Sequence, residues 1–418
     1  MSDRKSAWIA PEQPEWVQQL NREGDSLPLE SVLPLTEQSL LEAASARTGL
    51  TDYGDDHWRE GFRILCRALD EEAELTLMGR LMARDDLLCW LQARLDIRAL
   101  VKQHPEILEQ KIVAPMVIVG LPRSGTSILF ELLSQDPDFR VPAMWEATFP
   151  CPPPEPRHYR DDPRIGRAQA MYSRWGRVVP AFNTMHEMGG RIPAECGLLM
   201  APSFISDHIC ALHQTPSYDE FYATADMRQA YAWHKLMLQV LQWKYRKKHW
   251  LLKAPAHQNF LDILLATYPD ARIVQTHRDP IKCMASATNL MGAIYTMRSR
   301  KAFDARAFDD FLMGEATARR LERVMQQRAS GVVPAARIHD SRYQDLMESP
   351  MDCIAGIYRH FGMTLTASVQ NAMKAYLASK PQGKFGRHDY QVGDEAAIAS
   401  DRALFARYQR AYDVPDEV

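Results

Sequence analysis

The stretch MVIVGLPRSGTSILFELL, residues 116 to 133, restricts what this chain can fold into more than any other. Met116 to Val119 is an uncharged, largely β-branched run that reads as a buried parallel strand. Gly120 closes the run, and Gly125 follows five residues later. From Ser127 onward, Ile128, Leu129, Leu132 and Leu133 recur at helical spacing. Strand, glycine-bracketed loop and helix N-terminus together form an anion cradle, in which loop amides and first-turn N–H groups converge on a phosphate or sulfate oxygen. The interval is that of a Walker A loop, G-x-x-x-x-G, but Thr126 stands where that loop requires lysine. Arg123 supplies a cation inside the loop instead. The Walker lysine serves the β and γ phosphates of a nucleoside triphosphate, so this loop suits a donor with a different anionic chain.

The anion site must be local, because the net charge is −3 and no global basic field exists to hold nucleic acid. With 418 residues the chain can bury a large core, and 46% hydrophobic with 25% charged residues is the balance of an ordinary globular protein. The N-terminal sequence MSDRKSAWIAPEQPEW has no apolar leader core, and no later stretch reads as a membrane span. Cys66, Cys89, Cys151, Cys196, Cys210, Cys283 and Cys353 are odd in number, scattered, and form no C-x-x-C pair. That argues against a disulfide framework or a zinc site, so no metal is expected. A cytoplasmic, reducing location follows as the expectation.

Residues 1 to about 35 read as an irregular arm. Thr36 is an N-cap signal for a helix that Gly49 stops, and residues 57 to 100 carry the stripe of two or three packed helices. The proline cluster at 152, 153, 154 and 156 should run extended over the surface. Residues 160 to 245, rich in Met, Tyr, Trp and His, read as a helical insertion between two strands. HWLLKAP, ARIVQTHRDP and AARIHDSRYQDL then each run from a strand into a loop, and residues 304 to 329 read as a long charged helix. Alternating strands and helices imply a three-layer α/β/α fold around a central parallel sheet, with a P-loop-like first turn. The expected division is a mainly helical region at 1–111 and an α/β domain at 112–418, with a helical cap at about 150–247.

In such sheets ligands bind beyond the carboxyl ends of the strands, and four loops there carry compatible chemistry. They are PRSGTS (Arg123, Ser124, Gly125, Thr126, Ser127), KAPAH (Lys253, His257), HRDPIKCMAS (Arg278, Ser286) and RYQDL (Tyr343). An arginine at a strand end with a serine eight residues on suits a second phosphate.

These four motifs, in this order between about 115 and 362, resemble those of sulfotransferases that use 3′-phosphoadenosine-5′-phosphosulfate as donor. PRSGTS is similar to the family's 5′-phosphosulfate loop, HRDPIKCMAS to its 3′-phosphate motif, and RYQDLMESP to a later segment whose tyrosine lies near the nucleotide. Arg123 in place of the lysine of many cytosolic members points to bacterial and tyrosylprotein-type branches.

The resemblance implies in-line sulfuryl transfer to a hydroxyl or amine, with product adenosine 3′,5′-bisphosphate and no metal. Lys253 is then the residue that stabilises the leaving oxygen. The general base is Glu146, a lone acid beside Trp145 in VPAMWEATFP, or His257, four residues after Lys253. His186, Glu187 and Glu195 in NTMHEMGGRIPAEC are further base candidates or, with Trp145, acceptor contacts, and Lys384 and Arg387 in KPQGKFGRHDY candidate 3′-phosphate contacts. The expected partner is a small, partly apolar hydroxylated acceptor, with a homo-oligomer as a further possibility and neither nucleic acid nor membrane insertion. A P-loop kinase or nucleoside triphosphatase, or a catalytically silent ligand-binding member of the fold, are the alternatives.

Overall fold

A computed structural model describes residues 8–308, 313–380, 392 and 394–418. Five parallel strands form one sheet: β1 (Met116–Gly120), β2 (Phe139–Arg140), β3 (His249–Lys253), β4 (Arg272–His277) and β5 (Ile338–Arg342). Their spatial order is β2-β3-β1-β4-β5, which puts β1 in the centre. Every residue of β1 is buried, as its uncharged run requires of a strand covered on both faces. The pairing of Ile118 with Lys253, Gly120 with Thr276 and His277 with Arg342 aligns four strand ends along one edge.

Before the sheet come α1 (Glu37–Thr48), α2 (Arg59–Glu71) and α3 (Leu77–Gln103). The Thr36 hydroxyl caps α1 by accepting from the Ser39 amide, and Gly49 ends it in a left-handed conformation, as the sequence predicts. The N-terminal arm departs from expectation. Glu15–Gly24 is helical, with Pro14 just ahead of its first turn and Val17 buried, and Asn21 accepts from the Met78 amide of α3. Proline there starts a helix rather than preventing one. Phe62, Leu65, Leu87 and Leu91 share a core with Trp175, Phe182, Phe204 and Tyr218 of the segment between β2 and β3. The helices ahead of the sheet therefore pack directly on the cap.

The first loop leads into α4 (Thr126–Leu133). Next come α5 (Met144–Thr148) and, in the cap, α6 (Pro163–Val178), α7 (Cys196–Met200) and α8 (Met227–Trp243). Residues 152–155 are neither helix nor strand, as expected, but Pro153 and Pro154 are buried rather than lying on the surface. After β3 come α9 (Leu261–Thr267), α10 (Pro280–Thr296), α11 (Gly314–Ala329), α12 (Tyr343–Glu348), α13 (Ala367–Ser379) and α14 (Glu395–Tyr412). Among the described residues no helix is long and apolar enough to cross a membrane.

Beside the short strand β2 lies a fully buried ion pair. The Arg140 guanidinium donates Nη1 to Glu146 Oε2 at 3.0 Å and Nη2 to Oε1, and stands against the rings of Tyr159, Tyr245 and Trp250. Burial alone depresses the pKa of this guanidinium, but Glu146 and Tyr159 outweigh it and hold the group above its usual value. Breaking such a pair strands a charge, so Glu146→Ala should destabilise the fold by about 3–5 kcal/mol. Urea unfolding of the variant checks this, and a loss below about 1 kcal/mol removes the pair from the structural framework.

Candidate active site

The loop leaving β1 is shaped by close approach. Gly120 has φ +143°, and a Cβ there would lie 2.2 Å from Thr276 Oγ1. Gly125 has φ +93°, and its Cβ would meet the Tyr343 ring at 2.9 Å. Neither position has room for a side chain, so the sequence must hold glycine at both ends of the turn. Ser124 is buried, donating to the Leu121 carbonyl and sharing a 2.6 Å hydrogen bond with Thr276 Oγ1. Its hydroxyl is thus used to pin the loop to β4. Thr126 and Ser127 open α4, whose first-turn amides face the loop as a site for anionic oxygens.

Arg123, at φ +69°, turns back over the loop. Its Nε donates to Ser286 Oγ at 3.1 Å, and its Nη1 to the Met185 carbonyl of the cap at 2.9 Å. Arg278, beyond β4, donates Nη1 to the Arg123 carbonyl at 2.9 Å and lies over the Tyr343 ring at 3.8 Å. Its Nε and Nη2 grip both oxygens of Glu417 at 2.8 Å. Burial works against the charge on Arg278, but Glu417 more than offsets it and keeps the guanidinium protonated. Arg123, Gly125, Arg278, Ser286 and Tyr343 are therefore one contiguous group, joined through side-chain contacts across three loops.

A second group forms at the end of β3. Lys253 is buried, with Nζ 3.3 Å from Ser127 Oγ and in contact with Glu195 Oε1. His186 Nε2 lies 4.0 Å from the same carboxylate oxygen. Burial raises the Glu195 pKa, but the charge of Lys253 and then His186 outweighs it, and the net shift is downward. His186 itself is pushed below its ordinary value, chiefly by burial and despite Glu195. Met188 and Ile192, both half-buried, lie between His186 and Glu195 in the sequence and pack on the main core.

The other candidates stand apart. Both oxygens of Glu146 are taken by Arg140, with Tyr159 and the Ala143 amide also donating to Oε2 at 2.7 and 2.9 Å. Trp145 is buried against Tyr159 and Arg164. His257 is buried, with Nδ1 2.7 Å from the Tyr231 hydroxyl, and burial pushes its pKa down to about 4. Lys384 and Arg387 lie outside the described residues.

Sequence reasoning named Glu195 as a further base candidate or an acceptor contact, without the contact to Lys253 that the structure shows. It missed Glu417 and the Met185 carbonyl altogether. No local pattern could have found Glu417, which is 139 residues from Arg278.

The geometry thus places two cationic groups about one glycine-bracketed loop, a layout suited to moving an anionic group from a doubly charged donor. Sulfotransferase STF1 from Mycobacterium tuberculosis has this fold at a TM-score of 0.72 and 31% identity, over 89% of this chain and 98% of that one. Sulfotransferase STF9 from Mycobacterium avium matches at 0.77 and 26%, over 92% and 98%. The omega-hydroxy-beta-dihydromenaquinone-9 sulfotransferase Stf3 of Mycobacterium bovis is 24% identical over 293 residues, 68% of this chain and 72% of that protein. The model of the sulfotransferase family matches residues 115–367. That match takes in all five strands and every loop described above, and the chain belongs to the sulfotransferase family.

Proposed function

We propose that this protein transfers a sulfuryl group from 3′-phosphoadenosine-5′-phosphosulfate to a hydroxyl of a partly apolar acceptor. The observation that carries the reading is the junction at the first loop. There Lys253 meets Ser127 and Glu195 on one side, and Arg123 meets Ser286 and the Arg278 guanidinium on the other. Two anion positions with separate cations fit a donor that has two phosphate-bearing ends. When bound, the donor supplies an electrophilic sulfuryl group on a phosphate leaving group.

The side chains divide the work. Arg123 and the amides from Ser124 to Ser127 hold the phosphosulfate end. Lys253 neutralises charge that grows on the leaving oxygen. Arg278 and Ser286 hold the 3′-phosphate with the Tyr343 ring beside them, and Lys384 and Arg387 are assigned to the same end. Glu195 takes the acceptor's proton in preference to Glu146, whose oxygens Arg140 occupies, and to His257, whose Nδ1 is engaged by Tyr231. While Lys253 is drawn to Glu195, that carboxylate is held down as a base. A donor that attracts Lys253 frees it. His186 and the neighbouring Met185, Met188 and Ile192 suit an acceptor with apolar surface next to its hydroxyl, and the acceptor in the name of the relative Stf3 is of that kind.

Mass spectrometry of hydroxylated isoprenoid quinols incubated with the sulfate donor tests the activity. Sulfated product is expected. Tight binding of Mg-ATP together with no affinity for adenosine 3′,5′-bisphosphate instead points to a kinase or nucleoside triphosphatase. Binding of the bisphosphate with no product from any acceptor points to a silent member.

Four substitutions test the roles. Lys253→Ala should lower turnover about 10²- to 10³-fold while leaving bisphosphate affinity within a few-fold, because the missing charge acts in the transition state. Near-normal turnover removes Lys253 from that role. Glu195→Gln should cost about 10²- to 10⁴-fold in turnover, and Glu146→Gln much less per folded molecule; the opposite ranking returns the base to Glu146. Glu417→Gln should tighten bisphosphate binding a few-fold, on the order of 1 kcal/mol, since a half-exposed carboxylate no longer competes for Arg278. Calorimetry reads this directly, and unchanged affinity shows that Glu417 and the 3′-phosphate do not share a position.

A further inference from the structure

Behind the Lys253–Glu195 pair lies a cluster that the transfer reaction does not use. Cys196 is the first residue of α7, His234 lies within α8, and His257 is in the turn after β3. All three are buried, and one ligating atom from each lies within 4.8 Å of the other two. Each imidazole is held through Nδ1 by a tyrosine hydroxyl, His257 by Tyr231 at 2.7 Å and His234 by Tyr268 at 2.8 Å. The remaining nitrogen, Nε2, is buried and has no hydrogen-bond partner on either ring. A buried polar atom left unpaired is costly, so two beside one thiol ask for an occupant.

We propose that Cys196, His234 and His257 form a zinc site that clamps the cap onto the end of β3. One thiolate and two neutral imidazoles, with no carboxylate among them, select a thiophilic ion over calcium or magnesium. Zinc bonds of about 2.0–2.3 Å put tetrahedral ligands about 3.3–3.8 Å apart, so closing from 4.8 Å takes about 1 Å of side-chain movement. The two tyrosine hydroxyls are outer partners that fix the rings with Nε2 inward, as ligating histidines require. Binding displaces the Cys196 thiol proton to solvent, and the fourth position is left to water. The scattered cysteines argued against a zinc site, because these ligands come from three separate elements and leave no local motif. The site stands independently of the transfer reaction, yet it would tie Glu195 and Lys253 to their neighbours, since Cys196 follows the one and His257 lies four residues past the other.

The test uses the full chain, freed of metal with a chelator and titrated with Zn²⁺ alone or with Co²⁺ as its spectroscopic stand-in. One equivalent should bind, with a near-ultraviolet thiolate-to-cobalt band and a rise of several degrees in Tm. Cys196→Ser keeps the side-chain volume close to that of the thiol. It should leave the metal-free Tm within a few degrees, abolish the cobalt band and weaken Zn²⁺ binding at least 100-fold, whereas Cys353→Ser changes neither. Absence of stoichiometric binding overturns the proposal, as does equal binding by Cys196→Ser, and the two nitrogens then face only water or an empty gap.

Discussion

The turn from β1 into α4 has no space for a side chain at either end, and the rest of the site depends on that constraint. Gly120 runs against Thr276 of the neighbouring strand, Gly125 against Tyr343 beyond the edge strand β5. The Ser124–Thr276 hydrogen bond then fixes the loop between them. Because the loop is squeezed from β4 and from α12 at once, Arg123 emerges at a position where Ser286, Arg278 and the cap carbonyl of Met185 all reach it. A side chain at Gly120 would push β4 from β1, and one at Gly125 would displace the Tyr343 ring at the start of α12. The anion cradle and the sheet edge are thus the same packing problem solved once.

Each of the two principal cations is matched in this structure by a carboxylate of the chain itself, Lys253 by Glu195 and Arg278 by Glu417. This arrangement lets a chain of net charge −3 keep strong local cations at one edge without leaving them unpaired when buried. On the proposed function, a polyanionic ligand enters by exchange of partners. The carboxylates are displaced into a more solvated position, and only the surplus of the new pairing over the old appears as affinity. For Lys253 the exchange also changes chemistry, because the displaced group is a carboxylate beside the place where an acceptor hydroxyl would react.

How far the sequence was legible follows from how local each signal is. The strand–loop–helix unit was readable because its three parts are contiguous and each has its own period. Arg278 and Ser286 were readable as a pair because a helix fixes the distance between them. Glu146 is where the structure adds most to the sequence reading. A lone acid in an apolar stretch looked poised for catalysis, yet Arg140 stands six residues before it, and the side chain folds back to accept from the Ala143 amide at the start of α5. The signals of a buried ion pair and of a helix-start acid stand in the same stretch as the catalytic one. The Lys253–Glu195 contact spans 58 residues and the Cys196–His234–His257 cluster three elements, and neither leaves a periodic trace.

The buried Arg140–Glu146 pair is the reason we assign the base to the cap rather than to Glu146. β2 is only two residues long, and its register with β3 places Arg140 opposite Trp250, three residues before Lys253. A guanidinium in an aromatic cage needs a fixed counter-charge, and Glu146 supplies it from the helix that immediately follows. Once committed there, Glu146 holds β2 and α5 in place and cannot also exchange protons with a ligand at low cost. The proposed proton transfer then falls to a carboxylate whose partner is exchangeable. Glu195 meets that condition, since its side chain is about a third exposed while Lys253 is buried.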